Sequence, residues 1–364
     1  MIAHGIKNRE IFSNLEKHFA TREQFVTLNT QHVADGITEP MAKITFRSAL
    51  IYEKALRSFS KSRPPLIASS AFTRILQSDH SDLPPAQFTP MRDGQDLGFR
   101  HYAANSEKAL VLLHGSACFG DHFHPLAKEL SHAHIAQVYT LNLRGHGFTP
   151  GERGHSVQHP GQIIEDVEDF LRYLKRQNPR VEITLGGHSA GGGVVLAIAR
   201  TLARTLTRSP AENLVAKYIF IAPFLGMGSS TVRPYFGGWI TKLHALKIRS
   251  LVALNLLGLT RWNHSTVIEF GIEACAPDPR YIGSWSLNTA LAFGPGPWVM
   301  NQILLAKPTL LIAGDADEVF FSHLYKEAFT QIASNVDQPN LGPIGHFDVL
   351  VDSAAINAIA NWMR

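Results

Sequence analysis

The sequence predicts an α/β fold, a mostly parallel sheet with helices on both faces. Three observations carry that prediction. From about residue 86 onward, short apolar runs alternate with amphipathic helical segments. One apolar run ends in a glycine-rich turn that opens a helix, and the alternation breaks once, at about 224–300, before resuming.

Residues 87–92 and 97–102 read as a hairpin turning at Asp93 and Gly94. The runs at 109–113, 136–141, 181–185, 215–221 and 308–313 are apolar and bounded by turn residues, as strands buried on both faces must be. Helical periodicity fills the gaps at 122–130, 161–174 and from about 190 to 207, then at 322–333 and 350–363. The stretch 224–300 is rich in Trp, Phe, Leu and Gly with helical rather than strand periodicity, and is expected to be a helical cap inserted between two strands of one sheet. Residues 1–85 differ from the rest. Leu50, Ile51, Ala55, Leu56 and Phe59 share one face of a helix over 48–59, and the pairs Pro64, Pro65 and Pro84, Pro85 punctuate the chain between that helix and the first strand. The expected domains are therefore an N-terminal helical extension, 1–85, and an α/β domain, 86–364.

The composition excludes several function classes. With 364 residues and 45% hydrophobic side chains the chain can bury a large core. Its net charge is +4, and residues 1–85 hold +3 of it, from 11 basic and 8 acidic side chains. That excess is diffuse, without the clustered basic stripe and recognisable module that a nucleic-acid partner requires. Cys118 and Cys275 are the only cysteines and form no CxxC, so no disulfide framework or zinc site is expected, and a reducing, cytoplasmic setting suits the chain. The N-terminus has no apolar stretch of a secretory signal, and no window reaches the roughly 18 apolar residues of a membrane span.

The chemistry concentrates at Gly187-His188-Ser189-Ala190-Gly191. Strand, Gly-x-Ser-x-Gly, then helix is the arrangement that holds a nucleophilic serine on a turn too tight for larger neighbours. A serine hydroxyl needs a base, and the base an orienting acid. Carboxylates come after the strand at 308–313, in Gly314-Asp315-Ala316-Asp317-Glu318, and His346 lies in a loop before the last helix, giving the chain order Ser, acid, His. On position alone Asp315, Asp317 and Glu318 all remain candidates, and Asp348 reads as a cap of the final helix. The oxyanion donors are expected to be the backbone N–H groups of Ala190, after the nucleophile, and of Ser116, in the loop after the strand at 109–113. The Ser116 hydroxyl either adds a hydrogen bond there or satisfies the loop. The glycine spacing of Gly115 and Gly120 imitates a phosphate-binding loop, but Asp121 and His122 stand where Lys and Ser or Thr belong, so no nucleotide cofactor is expected. His122 with His124, and His132 with His134, lack a third ligand at suitable spacing; they read as surface histidines rather than a metal site.

Taken together these residues resemble the α/β-hydrolase superfamily, and within it the branch of monoacylglycerol lipases and lysophospholipases. The resemblance covers roughly 86–364 and rests on Leu112-Leu113-His114-Gly115, Arg144-Gly145-His146-Gly147, Gly151-Glu152-Arg153-Gly154-His155, the helix with Glu165-Asp166, and the serine motif, in that order. Asn142 stands where the branch usually carries a structural Asp. The resemblance implies an α/β-hydrolase fold, with Ser189 as nucleophile, Asp317 as acid, His346 as base and no cofactor. It also implies cleavage of lipid-like carboxylic esters through an acyl-enzyme. An acyltransferase, thioesterase or amide hydrolase would use the same set, and a hydrolase-fold ligand receptor would need none of it. The run 239–259 joins Lys242, Lys247 and Arg249 to a long apolar stretch, which suits the roof of an acyl pocket, contact with an anionic membrane surface, or an ordinary buried cap helix.

Overall fold

Buried apolar runs assemble an eight-stranded sheet in a computed structural model that describes residues 73–206, 213–274, 278–296 and 305–364. The helix expected over 48–59 lies outside these residues. A short helix, α1 (Thr73–Gln77), buries Ile75 ahead of the sheet. The hairpin forms as β1 (Ala86–Pro90) and β2 (Asp96–Tyr102), antiparallel, with Gly94 in its turn at φ +83°.

Next come β3 (Lys108–Leu113), α2 (His124–His132), β4 (Gln137–Asn142), α3 (Gln162–Gln177), β5 (Glu182–His188), α4 (Ala190–Leu206) and β6 (Lys217–Ile221). The insertion supplies β7 (Ile240–Leu243), α5 (Ala245–Leu256), β8 (Thr266–Phe270), β9 (Ser284–Ser286) and α6 (Leu287–Ala292). The chain then re-enters the main sheet with β10 (Thr309–Ile312), α7 (Tyr325–Thr330), the short β11 (Val336–Asp337) and α8 (Ser353–Met363). The strand order is β1-β2-β4-β3-β5-β6-β10-β11, antiparallel at β1/β2 and β2/β4 and parallel from β4 onward. Helices flank the sheet, α3 packing on α4 and α8 on α2.

This order positions the site. The chain winds outward from β3 through β4, then returns to place β5 on the other side of β3, so the carboxyl ends of β3 and β5 flank a switch point where α/β sheets bind ligands. Leu113 at the end of β3 pairs with Gly187 near the end of β5.

The expectation of a purely helical cap is corrected. The insertion carries a three-stranded antiparallel sheet of β7, β8 and β9 beside the helices α5 and α6. The 239–259 run is thus a strand followed by a helix. Register shifts in both pairings break the two-residue alternation that would have revealed such strands. The final helix is capped by Asp352, whose side chain accepts the Ala354 N–H, and not by Asp348, which sits one turn earlier in a short 3-10 segment.

Candidate active site

Ser189 occupies the turn between β5 and α4 with φ +54°, a left-handed conformation that costs a non-glycine residue energy. Its neighbours explain the glycines. A Cβ on Gly191 would collide with the Leu113 carbonyl oxygen, and one on Gly187 with that of Gly191. The turn is tied to the end of β6, for the Ser189 N–H donates to the Ile221 carbonyl at 3.0 Å and its own carbonyl accepts the Phe224 N–H at 2.8 Å.

Asp317 and His346 come together: Asp317 Oδ2 lies 2.9 Å from His346 Nδ1, and both residues are 1% exposed. The other carboxylate oxygen accepts the N–H groups of Val319 and Phe320 at 2.8 and 2.7 Å, which fixes the acid's orientation. An ionised carboxylate accepts only, so this pairing calls for the proton on Nδ1 and leaves Nε2 as the ring's acceptor. Asp315 is exposed and ties its N–H to the Gly342 carbonyl. Glu318 has a different part, its Oε2 accepting the backbone N–H of His346 at 2.8 Å. Arg233 Nε donates to the carbonyls of Asp317 and Phe320, both at 3.1 Å.

Ser116 and Ala190 line the same cavity as Ser189. Neither of their N–H groups donates to any backbone carbonyl among the described residues, as a helix start and an open loop allow. The Ser116 hydroxyl accepts from Trp239 Nε1 at 2.8 Å. The rest of the lining is apolar, including Phe224, Met227, Ile248, Phe270, Trp285 and Phe320, and none of the described lining residues is charged. The cavity is small, about 70 Å³. A larger polar hollow of about 840 Å³, beside Arg153, Glu269 and Asp278, contains none of the candidate residues.

Around the site lie histidines that are buried and neutral. Burial pushes His114 down to about 4 and His122 down to about 3, and holds His146 and His188 well below the usual imidazole range. His122 and His124, read from sequence as surface residues, are core residues; His122 meets the Tyr281 hydroxyl at 2.8 Å and His124 that of Tyr102 at 2.9 Å. His132 and His134 are exposed. No group of three metal-ligating side chains occurs among the described residues.

The shared motifs turn out to hold the frame. Arg144, 2% exposed, reaches Asp166 through two bonds of 2.8 and 2.7 Å. Gly154 and His155 clasp the cap: the Gly154 carbonyl accepts the Ser286 N–H at 3.1 Å and the Thr289 hydroxyl at 2.8 Å, and His155 Nε2 meets the Thr266 hydroxyl at 3.0 Å. Asn142 Oδ1 accepts the Gly120 N–H at 3.1 Å, a structural role. Sequence reasoning missed the supporting contacts of His188, Glu318 and Trp239. Of these, the first two lie inside or beside the motifs, but nothing in their spacing announces a bond to a distant backbone.

Residues 104–349 match the family described as serine aminopeptidase, S33. A monoacylglycerol lipase of Mycolicibacterium smegmatis is 33% identical over 88 residues, 24% of this chain and 31% of that protein, so the aligned stretch spans under a third of the curated relative. Among solved structures, a soluble variant of monoglyceride lipase from Saccharomyces cerevisiae in complex with a substrate analogue superposes with a TM-score of 0.55 at 15% identity, covering 79% of this chain and 96% of that one. Monoacylglycerol lipase from Paleococcus ferrophilus gives 0.52 at 18% identity, covering 73% and 98%. At such identities the likeness speaks to the fold.

Proposed function

The chain belongs to the serine aminopeptidase S33 family of α/β-hydrolases, and from that premise we propose that it is a serine esterase acting on lipid-like carboxylic esters. Ser189 Oγ attacks the ester carbonyl while His346 Nε2 takes its proton, and Asp317 steadies the imidazolium that forms. The N–H groups of Ser116 and Ala190 receive the oxyanion. Collapse expels the alcohol, which leaves with the proton from His346, and an acyl group remains on Ser189. A water then gives a proton to His346 and attacks the acyl-enzyme; as the acyl–Oγ bond breaks and the acid departs, His346 returns that proton to Ser189 Oγ. No cofactor enters these steps.

The observation that carries the reading is the wholly uncharged lining of the cavity beside Ser189. An aminopeptidase must meet a substrate ammonium with a carboxylate, and none lines this cavity among the described residues. An acyl chain asks for apolar walls alone. The cap adds a second support: Leu246 and Leu257 are 77% and 75% exposed, beside Lys247, Arg249 and Arg261. That apolar and basic rim suits transient contact with an anionic lipid surface. No described helix is long and apolar enough to cross a membrane. Cys118 is buried, and burial raises its thiol well above the usual range, so it is inert; a reducing cytoplasmic setting fits.

The test is fluorophosphonate labelling of the wild-type chain and of Ser189→Ala, with turnover of monoacylglycerols, lysophospholipids, p-nitrophenyl esters and aminoacyl anilides. Labelling lost in Ser189→Ala, with esters cleaved and anilides ignored, is the expected result. Labelling that survives the substitution, or preference for aminoacyl anilides, overturns the proposal.

A further inference from the structure

Ser116 carries a second polar group at the cavity besides its backbone N–H. Its Oγ accepts the Trp239 indole N–H at 2.8 Å. An indole nitrogen donates and cannot accept, so the serine must be the acceptor in this pair, and its own proton remains to be given elsewhere. Among the described residues no other hydrogen bond involves that hydroxyl. The side chain is not turned into the core, for Ser116 is 8% exposed and lines the cavity with Ser189 and Ala190. The loop also approaches the nucleophile closely: a Cβ on Gly115 would stand 3.0 Å from the Ser189 Cβ.

We propose that the Ser116 hydroxyl is a third donor to the oxyanion, aimed by Trp239. The inference rests on the esterase reading and adds to it a side-chain donor and the cap residue that positions it. With one lone pair engaged by the indole, the hydroxyl is restricted in rotation and its proton is directed away from Trp239. Charge appears on the substrate oxygen only as the tetrahedral species forms, and a donor already oriented needs no reorganisation at that moment. The indole N–H polarises the hydroxyl further, so the chain from Trp239 through Ser116 to the oxyanion strengthens as a unit. Trp239 precedes β7 in the cap, whereas Ser116 follows β3 in the sheet domain. Seating of the cap therefore completes the donor set, and an unseated cap leaves it one donor short.

The experiment uses the full chain and four substitutions, with kcat and KM measured on one soluble ester. Ser116→Ala keeps the backbone N–H and should lower kcat roughly 10- to 100-fold with KM nearly unchanged. Trp239→Phe keeps the ring and loses the N–H; it should lower kcat by a smaller factor, and by nothing further when combined with Ser116→Ala, because it acts through that hydroxyl. Ser116→Thr and Ser116→Val impose the same bulk, so Thr exceeding Val in kcat isolates the hydroxyl from packing. Affinity for a trifluoromethyl ketone, which forms the oxyanion, should fall in parallel with kcat/KM. An unchanged kcat in Ser116→Ala, equal rates in the Thr and Val variants, or additive losses with Trp239→Phe would each overturn the inference while fluorophosphonate labelling leaves the esterase reading intact. A wild-type chain that neither labels nor turns over esters sinks the underlying reading as well, and is told apart by that control.

Discussion

His188 Nε2 donates to the backbone carbonyl of His346 at 3.0 Å. The residue beside Ser189 thus grips the carbonyl of the proposed base, while Glu318 holds the His346 N–H. A carbonyl can only accept, so His188 must carry its proton on Nε2. Burial keeps that imidazole neutral. The loop bearing His346 is therefore clamped at both ends of one residue, once from the Ser189 turn and once from the loop after β10.

Loosening either clamp should reduce kcat without touching the reacting groups. His188→Phe keeps an aromatic ring and removes the donor; a loss of roughly 5- to 10-fold in kcat corresponds to one hydrogen bond of about 1 kcal/mol. Glu318→Leu should cost about as much, whereas Glu318→Gln keeps an oxygen acceptor and should stay near wild type. Glu318 Oε1 is buried without a partner, so the Gln variant should also lose no stability. Steady-state kinetics with thermal melts decide this, and equal losses in the Gln and Leu variants would refute the clamp.

Between the two aspartates of the acid loop the burden falls on one. Asp317→Asn removes the charge that steadies the imidazolium and offers Nδ1 the wrong partner, so kcat should drop by about 10⁴. Asp315 is exposed and contributes a backbone bond that the substitution preserves, so Asp315→Asn should keep turnover and stability within a factor of two or so. Parallel kcat measurements on the two variants settle which acid orients His346.

The sheet and the serine turn could be read from the sequence because each is written in neighbouring residues. A parallel strand such as β3 is buried on both faces and must be apolar throughout, and the turn at Ser189 needs small residues where Leu113 and Gly191 carbonyls crowd it. The cap strands could not be read this way. The three-residue β9 is too short to show a period, and the shifts in β7 and β8 spoil the alternation in the rest. Asp352 and Asp348 both precede the last helix, and only backbone geometry separates the cap residue from the other. The Trp239 to Ser116 bond spans 123 positions and two different elements, so its only signal is a folded coordinate.

Stability should weaken as pH falls below neutrality. His114, His122, His146 and His188 are buried, and burial lowers each from the ordinary value near 6.5. In the unfolded chain they take up protons below about 6.5 that the fold refuses. Stability from this source is whole above that pH and is lost as pH falls from there, the His114 share down to about 4 and the His122 share down to about 3. Each histidine contributes a slope of about 1.4 kcal/mol per pH unit once its unfolded form is protonated. Urea midpoints at pH 7.5, 6 and 5 should decline steeply over the last interval, and a flat profile would mean that these rings protonate within the fold.

The cavity measures about 70 Å³, well below the ~300–1,000 Å³ typical of ligand pockets, so on the proposed reading a short acyl group would fit as it stands and longer chains would have to displace the cap's apolar lining. Each methylene that gains burial is worth about 0.8 kcal/mol, roughly fourfold in kcat/KM, until the space is full. Efficiency should climb over the first few carbons and level once the roof must move. Ile248, on α5, is 3% exposed and lines the cavity, whereas Leu256 at the end of that helix is 43% exposed and does not. Ile248→Ala enlarges the roof and should carry the plateau to longer chains by a carbon or two. Ile248→Asp should flatten the climb and spare acetyl esters, because the Asp317–His346 pair and the serine turn are untouched. Leu256→Asp should leave the soluble-ester profile unchanged and weaken only turnover at a lipid surface, through the exposed rim. A profile measured with p-nitrophenyl esters that peaks at acetyl and falls thereafter would remove the lipid-like substrate and leave an esterase for small acyl groups.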